Sequence, residues 1–590
     1  MKSSSAPGGG SPLELILSRL EGQGPAAHRI WQPPLNESHT LDQLLPPLRR
    51  TPGSGLTAAD ERRHVSDLTS IAGVVDVPSE QSLRWLGVSM ATGHLAIVGG
   101  PRTGKSTLVA TLVASIALTH TPAEAQFYCL DFGAGPGAVG GLGELPHVGS
   151  IASRRQPELV HRTIAELTAL AEHRRRKVED TGVRTAATWQ ELRRTPALAP
   201  DEYGDVFLVI DNWGALRDVE EGVEDLVADL AGAGFGAGLH LIVTAGSWSE
   251  FKPGIRELFR HCLELRLPDP SESQIDPEAA ALVPEGRPGR GIVPDGAQFL
   301  SALPRIDGNA SADDLAQGMR SMVQAVKEAW SGPPAPPVRM LPALLPFDAL
   351  PADSDRGIPI GIEEEALSPV FLDFVKNPHF AVFGDTECGK SNLLRLLIHG
   401  IESRYTAEQA RIIIVDYRRS LLDSADTEHH IGYGASKVAT QQVLGEVHSA
   451  LSARFPPVGV TPEQLRDRSW WSGAELFLVV DDYNLVATPS GNPLEQIIEL
   501  LPQARDIGFH LILARSMVGA GRAMYDPLIR SLDDAASPVL VMSGRRDEGN
   551  LFGLDARPLP PGRGVLVDPS AGRRLVQTAL FPPPQEQKGP

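Results

Sequence analysis

Short apolar runs recur along the chain, and each is followed by a longer stretch in which apolar residues repeat every three or four positions. The runs at 94–98, 126–130 and 206–210 have the length of buried strands. The stretches at 160–176 and 493–505 have the spacing of helices. Strands that alternate with helices predict an α/β fold built on a mostly parallel, doubly wound sheet, with ligands at the carboxyl ends of the strands.

This pattern occurs twice along the chain. Residues that stand out in the first half return in the same order in the second, and the paired lysines are 285 residues apart (390 − 105). That spacing is too long for a solenoid repeat and suits two tandem domains of the same fold. The paired positions are Lys105 and Lys390, Asp131 and Asp416, Asp211 and Asp481, His240 and His510, and the Pro-Gly-Arg-Gly sequences at 288–291 and 561–564.

Each copy has a glycine-rich loop between a predicted strand and a predicted helix. The sequences G-G-P-R-T-G-K-S at 99–106 and G-D-T-E-C-G-K-S at 384–391 both match the P-loop pattern G-x-x-x-x-G-K-[ST]. Glycines let the backbone N–H groups and the helix N-terminus point at phosphate oxygens, and the lysine reaches the β- and γ-phosphates. We therefore predict two P-loop NTPase domains that bind ATP. The predicted nucleotide ligands are Gly99, Gly100, Pro101, Arg102, Thr103, Gly104, Lys105, Ser106 and Thr107 in the first copy, and Gly384, Asp385, Thr386, Glu387, Cys388, Gly389, Lys390, Ser391 and Asn392 in the second.

Two aspartates that end apolar strands predict the metal sites. Asp211 and Asp481 have the position of Walker B aspartates, which hold Mg²⁺, commonly through a water molecule. The P-loop hydroxyls of Ser106 and Ser391 would be direct ligands of the same ion. The alternative is that the acidic pair at 481–482 only caps a strand.

The residue after each of these aspartates bears on hydrolysis. Ring motors that hydrolyse ATP usually carry a glutamate there, whereas this chain carries Asn212 and Asp482. Asn212 cannot accept a proton, and Asp482 is a candidate base that is one methylene shorter than glutamate. Because general-base help is worth roughly 10²–10⁴-fold in rate, we expect little turnover in the first copy and slow or no turnover in the second. No other catalytic residue is assigned.

Six further positions, three in each copy, have competing interpretations. We expect His240 and His510, which lie inside apolar strands, to be core residues rather than catalytic groups. Four residues later, where many such ATPases place a polar γ-phosphate sensor, Thr244 fits that role and Ala514 does not. For Arg290 and Arg563, a role in binding phosphate or a neighbouring subunit and a role in a tight turn both stay open.

Two smaller features have mainly structural interpretations. The basic run at 174–177 follows apolar residues at helical spacing and is predicted to be a solvated helix face. Cys388, inside the second P-loop, is interpreted as a small residue, with a reactive thiol as the alternative.

Composition then narrows the class of partner. The 590-residue chain is 42% hydrophobic, enough for full cores, and its formal net charge is −19. Proteins that grip DNA backbone usually carry a basic surface, so the acidic charge favours a protein partner over DNA. No stretch reaches 18 apolar residues, so we expect no membrane span.

Proline-rich and polar stretches predict the domain boundaries. We expect a partly disordered N-terminal extension, two ATPase modules, a proline-rich connection between them, and a disordered tail. The predicted ranges, in that chain order, are 1–60 for the extension, 61–332 for the first module, 333–346 for the connection, 347–580 for the second module and 581–590 for the tail.

Taken together, these motifs resemble the FtsK/SpoIIIE ATPases of type VII (ESX) secretion systems, the EccC proteins. The resemblance covers nearly the whole chain, and its motifs are specific only in combination. It rests on residues 31–35, 99–106, 145–149, 205–211, 287–291, 384–391, 468–473 and 560–564.

The resemblance carries expectations about architecture and partners. In this family a membrane-anchored part is followed by three ATPase domains, sometimes split over two chains, and the last two are typically degenerate. This chain is similar to the soluble second chain, of EccCb type. The resemblance implies ATP and Mg²⁺ as cofactors, a membrane-anchored EccCa-like subunit as partner, binding of the C-terminal tail of WXG100 (Esx-type) substrates, and a possible hexameric ring. It implies a cytoplasmic location, peripheral to the inner membrane through that partner.

Two other functions compete with a coupling subunit that recognises substrate and regulates its partner's motor. An FtsK-like hexameric DNA translocase would carry a DNA-orienting domain after the motor, and nothing long enough follows residue 561. A scaffold locked by nucleotide would make no substrate contact.

Overall fold

The computed structural model describes residues 11–24, 35–58, 68–133, 137–181, 203–219, 222–352 and 355–582. Several sequence predictions fall outside this part of the chain. These include residues 1–10 of the predicted N-terminal extension, residues 31–34 of the first resemblance motif and residues 583–590 of the predicted tail.

The chain divides into two compact units, Met1–Arg339 and Met340–Pro590. The boundary lies inside the proline-rich stretch that the sequence predicts as a connection. In unit 1, Ala335 donates its backbone N–H to the carbonyl oxygen of Pro146 at 2.7 Å. In unit 2, Leu345 pairs with the last strand. The two ends of the stretch therefore belong to the folds of different units.

Unit 1 is built on one ten-stranded sheet and a separate two-stranded ribbon. Its strands are β1 (Leu48–Thr51), β2 (Gly55–Ala58), β3 (Thr69–Val77), β4 (Ser82–Ser89), β5 (His94–Val98), β6 (Ala125–Asp131), β7 (Val148–Ser153), β8 (Asp205–Asp211), β9 (Leu239–Ala245), β10 (Phe259–Leu265), β11 (Arg290–Ile292) and β12 (Gln298–Ser301). Its α-helices are α1 (Pro12–Leu20), α2 (Leu41–Leu44), α3 (Lys105–Ala117), α4 (Pro157–Thr181), α5 (Val223–Gly234), α6 (Pro253–Arg256), α7 (Pro277–Ala281) and α8 (Leu315–Ala329).

Unit 2 repeats this plan. Its strands are β13 (Leu345–Pro346), β14 (Ile358–Glu363), β15 (Pro369–Leu372), β16 (His379–Gly384), β17 (Ala410–Val415), β18 (His430–Gly434), β19 (Glu475–Val480), β20 (Phe509–Ser516), β21 (Val539–Met542), β22 (Asn550–Leu551), β23 (Leu554–Asp555), β24 (Arg563–Asp568) and β25 (Gly572–Leu580). Its α-helices are α9 (Lys390–Arg404), α10 (Lys437–Ser452), α11 (Pro462–Asp467), α12 (Tyr483–Val486), α13 (Glu495–Ile498), α14 (Ala504–Ile507), α15 (Ala520–Ala523) and α16 (Pro527–Asp534).

Strand order confirms both the predicted fold class and the duplication. The large sheet of unit 1 runs β4-β3-β12-β11-β10-β5-β9-β8-β6-β7, and that of unit 2 runs β15-β14-β25-β24-β21-β16-β20-β19-β17-β18. In unit 1 the pairs from β10 to β7 are parallel, and the remaining pairs are antiparallel. The parallel strands are buried on both faces, as expected when helices cover both sides of a sheet.

The helix after each P-loop is covered differently in the two units. In unit 1, every residue of α3 from Leu108 to Ala117 is buried. Helix α8 packs on β2 and on the turn at 140–142, and its apolar residues share one core cluster with those of α3. Ala58 of β2 donates its N–H to the carbonyl oxygen of Leu118, just after α3. In unit 2, His399 and Gly400 of α9 are partly exposed and Ser403 is exposed. The outer face of α9 is therefore open.

Helix α4 corrects one sequence prediction. Arg175 and Arg176 of the basic run are exposed, as predicted, but Arg174 is buried. Its guanidinium donates to the carbonyl oxygens of Ala237, Tyr203 and Gly204 at 2.9–3.0 Å. The run is therefore not solvent-exposed throughout, because Arg174 bonds α4 to the backbone just before β8 and just before β9.

No helix among the described residues combines the length and the apolar composition that a membrane crossing needs.

Candidate nucleotide-binding sites

The first P-loop connects β5 to α3, as the sequence predicts. The backbone is left-handed at Arg102, with φ 60°, and at Gly104, with φ 99°. A Cβ atom at position 104 would lie 2.9 Å from the backbone nitrogen of Gly289, so glycine is required there by conformation and by space. The loop leads directly into the first turn of α3, where orphan N–H groups favour an anion.

The second P-loop, between β16 and α9, has the same conformation. Glu387 has φ 62° and Gly389 has φ 109°, at the positions that match Arg102 and Gly104. Two left-handed residues at fixed positions make the loop curl in both units.

The Pro-Gly-Arg-Gly sequences form turns that back the two P-loops. Gly289 donates its N–H to the carbonyl oxygen of Thr103 at 2.8 Å, and Gly562 donates to Cys388 at 2.8 Å. The same turns accept backbone N–H groups from the next strand, those of Ser301 and Thr578 respectively. Each P-loop is thus supported by the antiparallel side of its sheet.

The arginines of these turns have structural partners. Arg290 donates to the carbonyl oxygen of Leu35 at 2.7 Å and contacts the side chain of Gln298. Arg563 is buried, donates to Gln577 at 3.1 Å, and also reaches the carbonyl oxygen of Leu341. These contacts favour the tight-turn interpretation over a phosphate-binding one.

Both P-loop lysines fold back over their own loops. Lys105 donates from Nζ to the carbonyl oxygens of Gly99 and Gly100, at 2.5 and 2.8 Å. Lys390 donates to Gly384 and Asp385 at 2.9 and 2.8 Å. Burial lowers the pKa of Lys105, while Asp211 and Glu250 oppose that shift.

In unit 1, the Walker B aspartate has one bonded oxygen and one free oxygen. Thr244 donates its hydroxyl to Oδ1 of Asp211 at 2.7 Å and accepts the N–H of Asn212 at 2.7 Å. Oδ2 of Asp211 is buried and has no hydrogen-bond partner among the described residues. A buried carboxylate oxygen without a partner at the P-loop suits a water-bridged cation. The predicted threonine therefore lies beside the predicted metal ligand.

In unit 2, the matching aspartate is bonded on both oxygens. Ser391 and Ser420 donate their hydroxyls to Oδ2 of Asp481, at 2.8 and 2.7 Å. Oδ1 accepts the N–H of Asp482 at 2.9 Å. Ser391 and Asp481, the two predicted metal ligands, are therefore adjacent, and their donor set is the hydroxyl and carboxylate oxygen that Mg²⁺ prefers.

The residues that follow these aspartates share an unusual backbone. Asn212 has φ 78° and Asp482 has φ 45°. Each lies at the carboxyl end of its strand and directly precedes a short helical turn. Burial and the charge of Asp481 raise the pKa of Asp482, and Arg418 opposes them.

Two predicted ligands of the second loop have other contacts. Asn392 donates to the carbonyl oxygen of Ala579 at 2.8 Å and accepts the N–H of Phe581 at 3.0 Å, so its amide holds the last strand. Cys388 is buried, which raises the pKa of its thiol and favours a small packing residue over a reactive one.

The two strand histidines lie near the amino ends of β9 and β20, away from the P-loops. His240 is 3.3 Å from Asp205 and stacks on Phe207. His510 is 3.0 Å from Glu475 and stacks on Phe477. Both are buried, which confirms the prediction that they are core residues.

Three residues near the sites escaped sequence reasoning. Glu250 accepts the N–H groups of Gly214 and Gly246 beside the first P-loop. Arg418 and Ser420 contact the acidic pair of the second site. None belongs to a motif of fixed spacing, so only the fold brings them to the sites.

Comparison with known proteins places the chain among secretion ATPases. Residues 62–307 and 352–452 match the FtsK/SpoIIIE family. The chain is 54% identical over 574 residues to the ESX secretion system protein EccC of Thermomonospora curvata, covering 96% of this chain but only 43% of that protein. It therefore spans less than half the length of that relative.

Two further comparisons cover both units. The ESX-1 secretion system protein EccCb1 of Mycolicibacterium smegmatis is 34% identical, and the match spans 97% of each chain. The solved structure of Thermomonospora curvata EccC, ATPases 2 and 3 in complex with a signal sequence peptide, is 53% identical with a TM-score of 0.86, covering 94% of this chain and all of that one.

Proposed function

Because the chain belongs to the FtsK/SpoIIIE family and is homologous to the EccC proteins of ESX secretion systems, we propose that it is an ATP-binding coupling subunit of a type VII secretion system. ATP with Mg²⁺ occupies both P-loops, and unit 2 recognises the C-terminal signal of WXG100-type substrates. Substrate binding regulates a membrane-anchored EccCa-like motor. DNA translocation is not favoured.

The bound nucleotide would supply a polyphosphate that each loop can hold. The first-turn N–H groups of α3 and α9 bind its oxygens, and the P-loop lysines exchange their carbonyl partners for phosphate. Ser106 with Asp211, and Ser391 with Asp481, hold the magnesium ion. Hydrolysis is expected to be slow or absent in this chain alone.

The observation that carries substrate recognition is a groove in unit 2 that a helix fills in unit 1. Helix α8 buries one apolar stripe, Met319, Met322, Val323 and Val326, against the core of unit 1. It packs so closely on the turn at 140–142 that a Cβ atom at Gly141 would overlap Met319. Unit 1 thus holds an amphipathic helix of its own chain beside α3.

In unit 2 the corresponding face of α9 borders a cavity of about 990 Å³. Its lining includes Phe347, Leu350, Leu396, His399, Gly400 and Ser403. Leu422 lies in the turn that corresponds to 140–142, which also contacts α9, and the residue is 54% exposed. A groove with apolar walls beside a helix suits an amphipathic helix with anchors three and four residues apart.

A second contact of unit 1 suggests where a bound signal peptide would run after its amphipathic helix. Beyond α8, Pro336 accepts a hydrogen bond from the hydroxyl of Tyr128 at 2.8 Å, next to the edge strand β7. The corresponding edge strand of unit 2, β18, exposes Ile431. A ligand made of an amphipathic helix followed by an extended segment would cover both places. A relative of this chain has been solved with a signal sequence peptide, which agrees with this proposal.

The test is binding of a fluorescent C-terminal peptide of a WXG100-type substrate to the full chain. Leu422→Asp and Ser403→Arg should each weaken binding by about tenfold, because they place charge in an apolar groove. The matched control is Val458→Asp, an exposed apolar residue elsewhere in unit 2. Equal binding by all variants would refute the groove, and ATP turnover that duplex DNA stimulates would favour a translocase.

A further inference from the structure

The turn after β17, residues 416–421, places the side chains of Arg418 and Ser420 against the acidic pair of the second nucleotide site. Asp416 is buried, and its carboxylate accepts the backbone N–H groups of Arg418, Arg419 and Leu421 at 2.7–2.9 Å. Tyr433 donates its hydroxyl to the same carboxylate at 2.9 Å. Because the aspartate fixes the backbone of the turn, the positions of Arg418 and Ser420 are set by the fold.

Both acidic residues after β19 bond to this turn. Nε of Arg418 lies 2.6 Å from Oδ2 of Asp482, and the hydroxyl of Ser420 lies 2.7 Å from Oδ2 of Asp481. The Asp482 side chain is only 16% exposed. A guanidinium cannot be deprotonated in a protein, so Arg418 stays charged and the ion pair can form whenever Asp482 is ionised.

This contact bears on the one carboxylate of unit 2 that stands where a general base is needed. In hydrolysis, a water oxygen bonds to the γ-phosphorus, the bond from that phosphorus to the β–γ bridging oxygen breaks, and a water proton passes to the base. A base needs a free lone pair within hydrogen-bond reach of that water. On Asp482 the guanidinium of Arg418 competes with that water for a carboxylate lone pair.

We propose that Arg418 is a positioning residue that holds Asp482 against the 416–421 turn and thereby suppresses ATP hydrolysis in unit 2. The proposal rests on the proposed binding of ATP to the second P-loop. It is specific to unit 2, because the matching residue in unit 1 is Gly133, two residues after Asp131, which has no side chain to offer.

The experiment uses the full chain with Lys105→Ala, which isolates the second site. Steady-state ATP turnover and ATP affinity are measured for Arg418→Gln and for the control Arg419→Gln, an exposed neighbour on the same turn. We expect Arg418→Gln to raise turnover by about tenfold or more with affinity unchanged within about threefold. Arg418→Lys should keep turnover low, and adding Lys390→Ala to Arg418→Gln should remove the gain.

The split between turnover and ATP affinity gives a readout that a merely structural role would not move, because a damaged fold would lower both.

Three results would overturn the proposal. Turnover that stays unchanged in Arg418→Gln is the first, and an equal gain in Arg419→Gln is the second. The third is a fall in ATP affinity without a gain in turnover, which would make Arg418 a phosphate ligand. If the Lys105→Ala protein itself binds no ATP, the proposed function fails at the second site and this proposal fails with it. The affinity measurement separates that case from the others.

Discussion

The hydroxyl of Thr244 donates to Oδ1 of Asp211 at 2.7 Å and at the same time accepts the N–H of Asn212. One side chain on β9 therefore fixes both residues at the end of β8. In unit 2 the matching residue is Ala514, and hydroxyls from the P-loop and from the 416–421 turn bond to Asp481 instead. The two nucleotide sites thus share a fold but hold their aspartates by different side chains.

We expect Thr244→Ala to destabilise unit 1 by about 1–3 kcal/mol, because it leaves two buried polar groups without a partner. Hydrogen exchange of the β8 backbone amides would measure the loss locally. Thr244→Ser keeps the hydroxyl and should exchange nearly as slowly as the reference protein. Equal protection in Thr244→Ala would mean that water replaces the hydroxyl.

Lys390→Ala should weaken ATP binding to unit 2 and remove the thermal stabilisation that Mg-ATP gives it. A ligand at about 100 times its Kd stabilises by about 2.7 kcal/mol, which thermal unfolding detects readily. Lys376→Ala, an exposed lysine of the same unit, is the control. A melting temperature in saturating Mg-ATP that matches the reference protein would contradict a role for Lys390.

Two buried histidines predict that acid destabilises both units. Burial lowers the pKa of His94 to about 4 and that of His379 to about 4, from 6.5 in the unfolded chain. The unfolded state therefore takes up protons first, so stability is full above pH 6.5 and is lost as the pH falls towards 4. The full shift corresponds to about 3 kcal/mol per histidine.

The measurement for this prediction is the free energy of unfolding between pH 7 and 5. The slope should become smaller in His379→Gln, which can still accept the N–H of Leu511. His448→Gln, at a surface histidine of α10, should keep the slope of the reference protein. A slope that does not change in His379→Gln would assign the acid sensitivity to other groups.

Arg174→Ala should destabilise unit 1 by about 3 kcal/mol, since three carbonyl oxygens lose a charged donor. Arg175→Ala, at the next and exposed position, should change the free energy of unfolding by less than about 0.5 kcal/mol. Urea denaturation of the two variants side by side tests the difference. Equal effects would show that the buried contacts are replaced by water.

The P-loops and the acidic strand ends could be predicted because their function depends on local spacing. A loop of eight residues and an aspartate at a strand end carry their geometry in the sequence itself, and the duplication of both strengthens the inference. Alternation of strands and helices predicted that each sheet is mostly parallel, but not the order of its strands. The antiparallel strands of each sheet have weaker patterns, and the sequence did not predict their order.

The site residues that the sequence did not predict reach the sites from distant parts of the chain. Arg418 and Ser420 lie more than 60 positions from the aspartates that they contact (481 − 420 = 61), and no local pattern marks them. The prediction for Arg174 was wrong for a different reason. Its position continues the buried spacing of Val160, Leu167 and Ala171 on α4, so helical periodicity already placed it on the inner face. Its charge was given more weight than its position.

Helix α3 is covered and α9 is open, and this difference affects how a free peptide would distribute between the two units. In unit 1 the peptide would compete with a segment that is tethered at high local concentration. In unit 1 the 15-residue helix α8 of the same chain packs on β2 and on the turn at 140–142, and it shares a core cluster with α3. A tethered segment of this kind meets its site at a local concentration of the order of millimolar, whatever the contacts are worth. A free peptide would have to outcompete it in unit 1, but would meet no such tethered rival among the described residues of unit 2. Two grooves of similar chemistry can therefore differ by orders of magnitude in apparent affinity, and the proposed preference of a signal peptide for unit 2 needs no special recognition code.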